Sequence, residues 1–202
     1  MKTIVLATNN AHKVSEISHA LDFSDWEFKT LRELGIDSDP VEDAGTFEGN
    51  ARIKARAAHE ASAGLAALAD DSGLEVDALA GAPGVLSARF AGVDATDEQN
   101  NEKLLCELES VPGAARTARF VCTLVLIDED GSERIARGTV EGRIGYEPQG
   151  DGGFGYDPLF WPDVFEGSCT LAEVPQERKN AVSHRGNALR ALRRQIEDSQ
   201  AK

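Results

Sequence analysis

The stretch LADDSGLEVD, Leu68 to Asp77, places two adjacent aspartates, Asp70 and Asp71, directly after the apolar run GLAALA. This run predicts a buried strand over Leu65 to Ala69 that delivers both aspartates at its end. Neighbouring like charges repel and lose hydration beside apolar surface, so the pair is unfavourable unless a cation or hydrogen-bond donors compensate. A metal ion would remove that penalty.

Hydrophobic patterning around this stretch alternates between strands and helices. Ile4 to Ala7 predicts a strand, followed by a turn and by a helix with Val14, Ile17 and Leu21 on one face. Three further helices are predicted over about Phe47–Ala63, over Asp97–Leu108 and from near Ser183, the last with Leu189, Leu192 and Ile196 on its buried side. Two further strands are predicted over Thr117–Ile127 and Ser132–Ile144. Strands mixed with helices, including a hairpin, predict an α/β sandwich on a mixed sheet.

Length and composition predict one soluble domain, or two intimate lobes, and we treat residues 1–202 as a single domain. The chain has 41% hydrophobic residues, and no apolar run approaches the roughly 18 residues of a membrane span. The N-terminal MKTIVLATNN predicts a first strand rather than a signal peptide. Cys106, Cys122 and Cys169 are odd in number and lack a CxxC pair, which argues against a disulfide framework or structural zinc. We therefore expect a cytoplasmic protein.

The net charge of −14 is large for a chain of this length. Such a surface repels nucleic-acid backbone and anionic membrane, so we expect neither as a partner. An anionic substrate would have to be held by local cations.

The segment TNNAHK, Thr8 to Lys13, lies where the first strand leads into a helix, with Asn9 and Asn10 as possible N-caps. The first backbone N–H groups of a helix bind anions, and Lys13 would add a positive charge one turn in. Phosphate is the natural ligand, although the Walker A pattern is absent. The alternative is a capped helix with an exposed lysine.

The loop GDGGFGYDP, Gly150 to Pro158, contains GxGxxG. A Rossmann site is rejected because no strand precedes the loop and Pro158 prevents a following helix. We predict that its glycines let backbone approach a ligand, with Phe154 or Tyr156 stacking on a planar ring. The alternative is a flexible surface loop with one aromatic side chain in the core.

The segment ERKNAVSHRGNAL gathers Lys179, His184 and Arg185 just before and at the start of the last helix. Cations at a helix N-terminus oppose the macrodipole, which favours acids there. A bound anion or carbonyl would explain them; alternatively, His184 and Arg185 hydrogen-bond surface carboxylates.

Five blocks together resemble, in order and spacing, the noncanonical purine nucleoside triphosphate pyrophosphatases, the inosine triphosphatase-like family: TNNAHK, EDAGTFEGNARIKA, LADDSGLEVDALAGAPGVLSARFAG, FGYDPLF and SHRGNAL. The match runs from Thr8 to Leu189, with the family's ETGxTF block reading EDAGTF here. The resemblance implies hydrolysis of dITP, ITP and XTP to the monophosphate and pyrophosphate with Mg²⁺. It also implies a homodimer, with a long active-site cleft separating two α/β lobes.

The resemblance also implies residue roles. Asp71 is similar to the family's proton acceptor and metal ligand, and Glu42 to its other metal-binding acid. Magnesium binds through one or two carboxylates plus phosphates, and a nearby carboxylate takes the proton of the water attacking the α-phosphorus. The implied substrate contacts are Thr8, Asn9, Asn10, Ala11, His12, Lys13 and Lys54 for the triphosphate, Ser72 at the turn after the strand, and Phe154, Gly155, Tyr156, Asp157, Lys179, His184 and Arg185 for the base.

Two alternatives remain open from the residues. A pyrimidine-selective nucleotide pyrophosphatase could share the carboxylates and phosphate contacts, since only FGYDP and SHRG favour a purine. A non-enzymatic nucleotide-binding module would have no need of the paired aspartates.

Overall fold

The computed structural model describes residues 1–8 and 10–200, apart from the side chains of Ala11, His12 and Gln200. Within these residues, six strands form one sheet in the order β2-β1-β3-β4-β5-β6. The strands are β1 Lys2–Leu6, β2 Trp26–Thr30, β3 Ala66–Val76, β4 Thr117–Ile127, β5 Glu133–Ile144 and β6 Phe160–Pro162. β1 is parallel to β2 and β3, whereas β5 and β6 are antiparallel. The predicted α/β fold with a mixed sheet is confirmed.

The α-helices are α1 Ala11–Ala20, α2 Phe47–Ala61, α3 Asp97–Glu107, α4 Gln176–Val182 and α5 His184–Gln200. Side-chain caps explain where two of them begin. The Thr46 hydroxyl accepts from the Gly49 N–H, and Thr96 forms a capping box with Gln99. α4, β2 and β6 were not predicted from the sequence; they have seven, five and three residues, so each offers few positions over which a hydrophobic pattern can repeat. None of the helices in the described ranges is long and apolar enough to cross a membrane.

Strand β3 continues through both aspartates to Val76. The prediction that the strand ends at Ala69 is wrong, and Ser72 lies within the strand rather than at a turn. Successive side chains of a strand point to opposite faces, so Asp70 and Asp71 are directed apart although they are neighbours in sequence. The repulsion expected from the doubled carboxylate is therefore reduced by the strand itself.

The chain divides into two compact units, each with its own hydrophobic core. The first comprises Met1–Asp71, Cys122–Gly138 and Arg185–Lys202, and the second Ser72–Val121 and Thr139–His184. The first unit's largest cluster includes the α5 residues predicted to be buried: Leu189, Leu192 and Ile196. The second unit's cluster is built around Leu104, Phe120, Tyr156 and Phe160. The assignment of residues 1–202 to a single domain stays a prediction.

Candidate active site

A buried ion-pair network surrounds Asp70 in the first unit. Asp70 is 2% exposed, and the Lys13 ammonium lies 3.0 and 2.9 Å from its Oδ1 and Oδ2 atoms. Arg185 contacts Asp70 Oδ2 at 3.5 Å and Glu16 Oε2 at 2.7 Å. Burial alone would raise the pKa of Asp70, but Lys13 and Arg185 outweigh it and hold that pKa well below its ordinary value. Asp70 is therefore ionised and engaged by two cations.

Asp71 has a different set of partners, also in the first unit. The Lys54 ammonium lies 3.1 Å from Asp71 Oδ1 and 3.0 Å from Glu42 Oε2. Asn50 Nδ2 donates to Asp71 Oδ2 at 3.3 Å, while Asn50 Oδ1 accepts from the Ala44 N–H at 3.0 Å. Burial raises the pKa of Asp71 and is not fully offset by the attraction of Lys54, and Glu42 raises it further. Asp71 is consequently the more basic of the two aspartates.

Asp71 and Glu42 can together hold a divalent ion, since their carboxylates converge on one cation, the Lys54 ammonium, within 3.1 Å. Hard divalent ions take oxygen ligands from one or two carboxylates and complete their shell with phosphates and water. Over residues 1–8 and 10–200, no group of three or more His, Cys, Asp or Glu forms a metal-binding cluster. The donor set therefore fits an ion shared with a phosphate ligand, not one held by the protein alone.

The polar segment before α1 caps that helix. Thr8 Oγ1 accepts from the Asn10 N–H, and Asn10 Oδ1 accepts from the Lys13 N–H, each at 3.2 Å. Asn10 is thus an N-cap, as predicted, whereas Asn9 lies outside the described residues. Lys13 is half-buried against Asp70, so it differs from the exposed lysine of the alternative interpretation. The phosphate role of this segment stays a prediction.

In the second unit, the predicted ligand loop folds around Asp157, which is 3% exposed. Asp157 Oδ2 accepts from the Phe154 N–H at 2.8 Å and from the Lys179 ammonium. The same ammonium lies 4.7 Å from the centre of the Phe154 ring. Gly153 has a φ of +75°, and a Cβ there would lie 2.2 Å from Asp157 Oδ2. Only glycine lets the loop close on its own aspartate.

The two aromatic candidates of this loop have different environments. Tyr156 is 4% exposed and its hydroxyl donates to the Ser87 carbonyl at 2.8 Å. Phe154 is 47% exposed, so it is the ring available for stacking. His184 is buried and stacks on Phe120, with ring centres 5.0 Å apart.

Sequence reasoning missed Asn50 and Glu16. Asn50 precedes Lys54 by one helical turn, so the two side chains share a face of α2, and its amide holds the Glu42 loop as well as Asp71. Its burial at 1% exposure was the missing information, because a buried amide in a helix needs specific partners. Glu16 binds Arg185 from a position 169 residues away, which no local pattern could indicate.

The structure thus defines an α/β protein with one mixed sheet, in which the carboxylates of Asp71 and Glu42 converge on the Lys54 ammonium. A family model described as the Ham1 family matches residues 4–195. The chain belongs to the Ham1 family.

Relatives of similar length match nearly the whole chain. A Photobacterium profundum protein named dITP/XTP pyrophosphatase is 48% identical over 202 residues, covering 98% of this chain and 100% of that protein. A Geobacter sulfurreducens protein of the same name is 50% identical over 193 residues, covering 96% of each. The solved structure of a HAM1 protein from Coxiella burnetii has a TM-score of 0.90 and 41% identity, covering 98% of this chain and all of that one.

Proposed function

We propose that this protein hydrolyses the purine nucleoside triphosphates dITP, ITP and XTP to the nucleoside monophosphate and pyrophosphate. The observation that carries the proposal is the half-buried Asp71, whose pKa is raised and which converges with Glu42 on one cation. Relatives with about half of their residues identical are named dITP/XTP pyrophosphatases, which supports the same substrate class.

In the proposed reaction, Asp71 accepts the proton of the water whose oxygen attacks the α-phosphorus. Pyrophosphate leaves with the electron pair of the broken P–O bond. Asp71 and Glu42 would hold Mg²⁺, which when bound neutralises phosphate charge and polarises the α-phosphate. Lys13 and Lys54, each already paired with an aspartate, would hold the phosphates at short range against the negative net charge.

The remaining assignments are proposed on the resemblance. Thr8, Asn9, Asn10, Ala11 and His12 would join the lysines at the triphosphate, and Ser72 would contact the substrate. The base pocket would comprise Phe154, Gly155, Tyr156, Asp157, Lys179, His184 and Arg185. Phe154 has the exposed ring that stacking needs, and the Lys179 ammonium beside it is a hydrogen-bond donor. The homodimer implied by the resemblance and the cytoplasmic location expected from the cysteines stay predictions.

The test of the reaction is pyrophosphate release from ITP with Mg²⁺ in oxygen-18 water. We expect the label in the nucleoside monophosphate and none in pyrophosphate, because water attacks the α-phosphorus. Label in inorganic phosphate would mean stepwise removal from the γ end and would contradict the mechanism. Omission of Mg²⁺ is the control, and loss of turnover is expected there.

Base selectivity is expected to follow the order ITP or XTP, then GTP, then ATP. Hypoxanthine and xanthine present an oxygen at C6, whereas adenine presents an amino group, so a donor such as Lys179 is left facing a donor. A site built for one hydrogen bond can reject the wrong partner by up to about 10⁴-fold. The measurement is kcat/KM for the four purine triphosphates and for CTP and UTP. Higher efficiency on a pyrimidine would favour the pyrimidine alternative, and binding without any turnover would favour the non-enzymatic one.

A further inference from the structure

Two side chains of α3 hold the backbone of Gly155 on both sides of its Cα. Asp97 Oδ2 accepts from the Gly155 N–H at 2.6 Å, and Asn101 Nδ2 donates to the Gly155 carbonyl at 2.9 Å. Residues four apart on a helix share one face, so α3 presents the acceptor and the donor together. Both peptide planes that meet at Gly155 are therefore fixed by one helix.

The backbone conformation of Gly155 sets the directions in which the side chains of its two neighbours point. Gly155 has a φ of +61°, in the left-handed region that favours glycine. It separates Phe154, whose ring is exposed, from Tyr156, whose ring is buried in the second unit's core. A change in the Gly155 backbone would turn the Phe154 ring relative to that core.

Asn101 is a polar side chain that is buried in the second unit. It is 8% exposed, and its Oδ1 atom has no hydrogen-bond partner in the described part of the protein. A buried acceptor without a partner is unfavourable, so the side chain is not explained by stability alone. Asp97, Asn101, Phe154 and Gly155 also line one cavity of about 390 Å³ in this unit.

We infer that Asp97 and Asn101 are positioning residues for base recognition, acting through Gly155 to orient the Phe154 ring against the purine. The inference rests on the proposed function, because it assumes that Phe154 stacks on the substrate base. It assigns no direct substrate contact to either α3 side chain.

The test compares Asp97→Asn and Asn101→Asp with the wild type on ITP. Asp97→Asn removes the charged acceptor, and Asn101→Asp places an acceptor against the Gly155 carbonyl. We expect each to raise KM for ITP about tenfold, the effect of losing one hydrogen bond, with a much smaller change in kcat. Glu102→Gln is the matched control for Asp97→Asn: it removes the same negative charge from the same helix and lines the same cavity, and among the described residues no hydrogen bond joins Glu102 to Gly155.

Inorganic tripolyphosphate, which lacks a base, separates positioning from a general structural effect. Its inhibition constant should be unchanged in both variants, whereas a loosened fold would weaken ITP and tripolyphosphate together. Either of two results would overturn the inference without touching the proposed function. In the first, the wild type is active and the variants have the same KM for ITP as the wild type. In the second, the variants bind ITP and tripolyphosphate more weakly to the same extent. If wild type neither hydrolyses nor binds ITP, the proposed function fails and the inference with it. Asp97 is on the surface, so its variant remains informative if Asn101→Asp does not fold.

Discussion

Replacing Asp71 by asparagine is expected to lower kcat for ITP by about 100-fold or more, the effect of losing a general base. The amide keeps the size of the side chain but removes the oxygen that accepts the proton of water. It also removes one of the two carboxylate charges, those of Asp71 and Glu42, that converge on the Lys54 ammonium. The measurement is kcat for ITP at saturating Mg²⁺, so that weakened metal binding does not mask the loss of the base.

The fold should survive the Asp71 substitution. Lys54 keeps its contact with Glu42 at 3.0 Å, so no buried cation is left without a carboxylate. Asp43→Asn is the control, since this exposed acid lies next to Glu42 and should retain near-normal turnover. Near-normal turnover in Asp71→Asn itself would contradict the assignment and move the basic role to Asp70 or Glu42.

Local sequence patterns predicted the helices and strands in which apolar side chains recur over several turns or pleats. Strand β4 has its predicted bounds, Thr117–Ile127. A long apolar run is either a buried strand or a buried helix segment, and the branched and aromatic side chains of this run favour the strand. The end of β3 was predicted wrongly because charged side chains usually mark the end of a buried segment. Here Asp70 is tolerated inside β3 because Lys13 and Arg185 reach it from distant positions.

Some residues of the candidate site could likewise be predicted from the sequence, and others could not. Glu42, Lys54 and Asp71 were all named from sequence, and the structure brings their charged groups together. Asp97 and Asn101 could not be named, because they act on backbone atoms of Gly155 and such contacts leave no motif. Arg185 was assigned to the base pocket from its block, yet its charge partners are Glu16 and Asp70, which only the folded chain reveals.

Replacing Asp70 by asparagine is expected to lower the free energy of unfolding by about 3–5 kcal/mol, the usual effect of breaking a buried ion pair. Without the carboxylate, Lys13 and the buried Arg185 lose a shared counter-ion that contacts them at 2.9 and 3.5 Å. The Asp70 side chain is 1% exposed, so water cannot replace the lost charge. The measurement is urea unfolding followed by a spectroscopic signal of the whole chain.

Asp128→Asn is the matched control, because Asp128 also pairs with one lysine and one arginine, Lys2 at 2.7 Å and Arg134 at 3.2 Å. Its side chain is 21% exposed, and we expect a loss of at most about 1 kcal/mol, as for surface pairs. The pKa of Asp70 is lowered in the folded state, so its stabilisation is present above the unfolded pKa and is lost only as the pH falls through the folded one. The loss of unfolding free energy in Asp70→Asn should therefore be the same at about pH 5.5 and about pH 7. A deficit no larger than that of Asp128→Asn would mean that the two cations do not depend on the Asp70 charge.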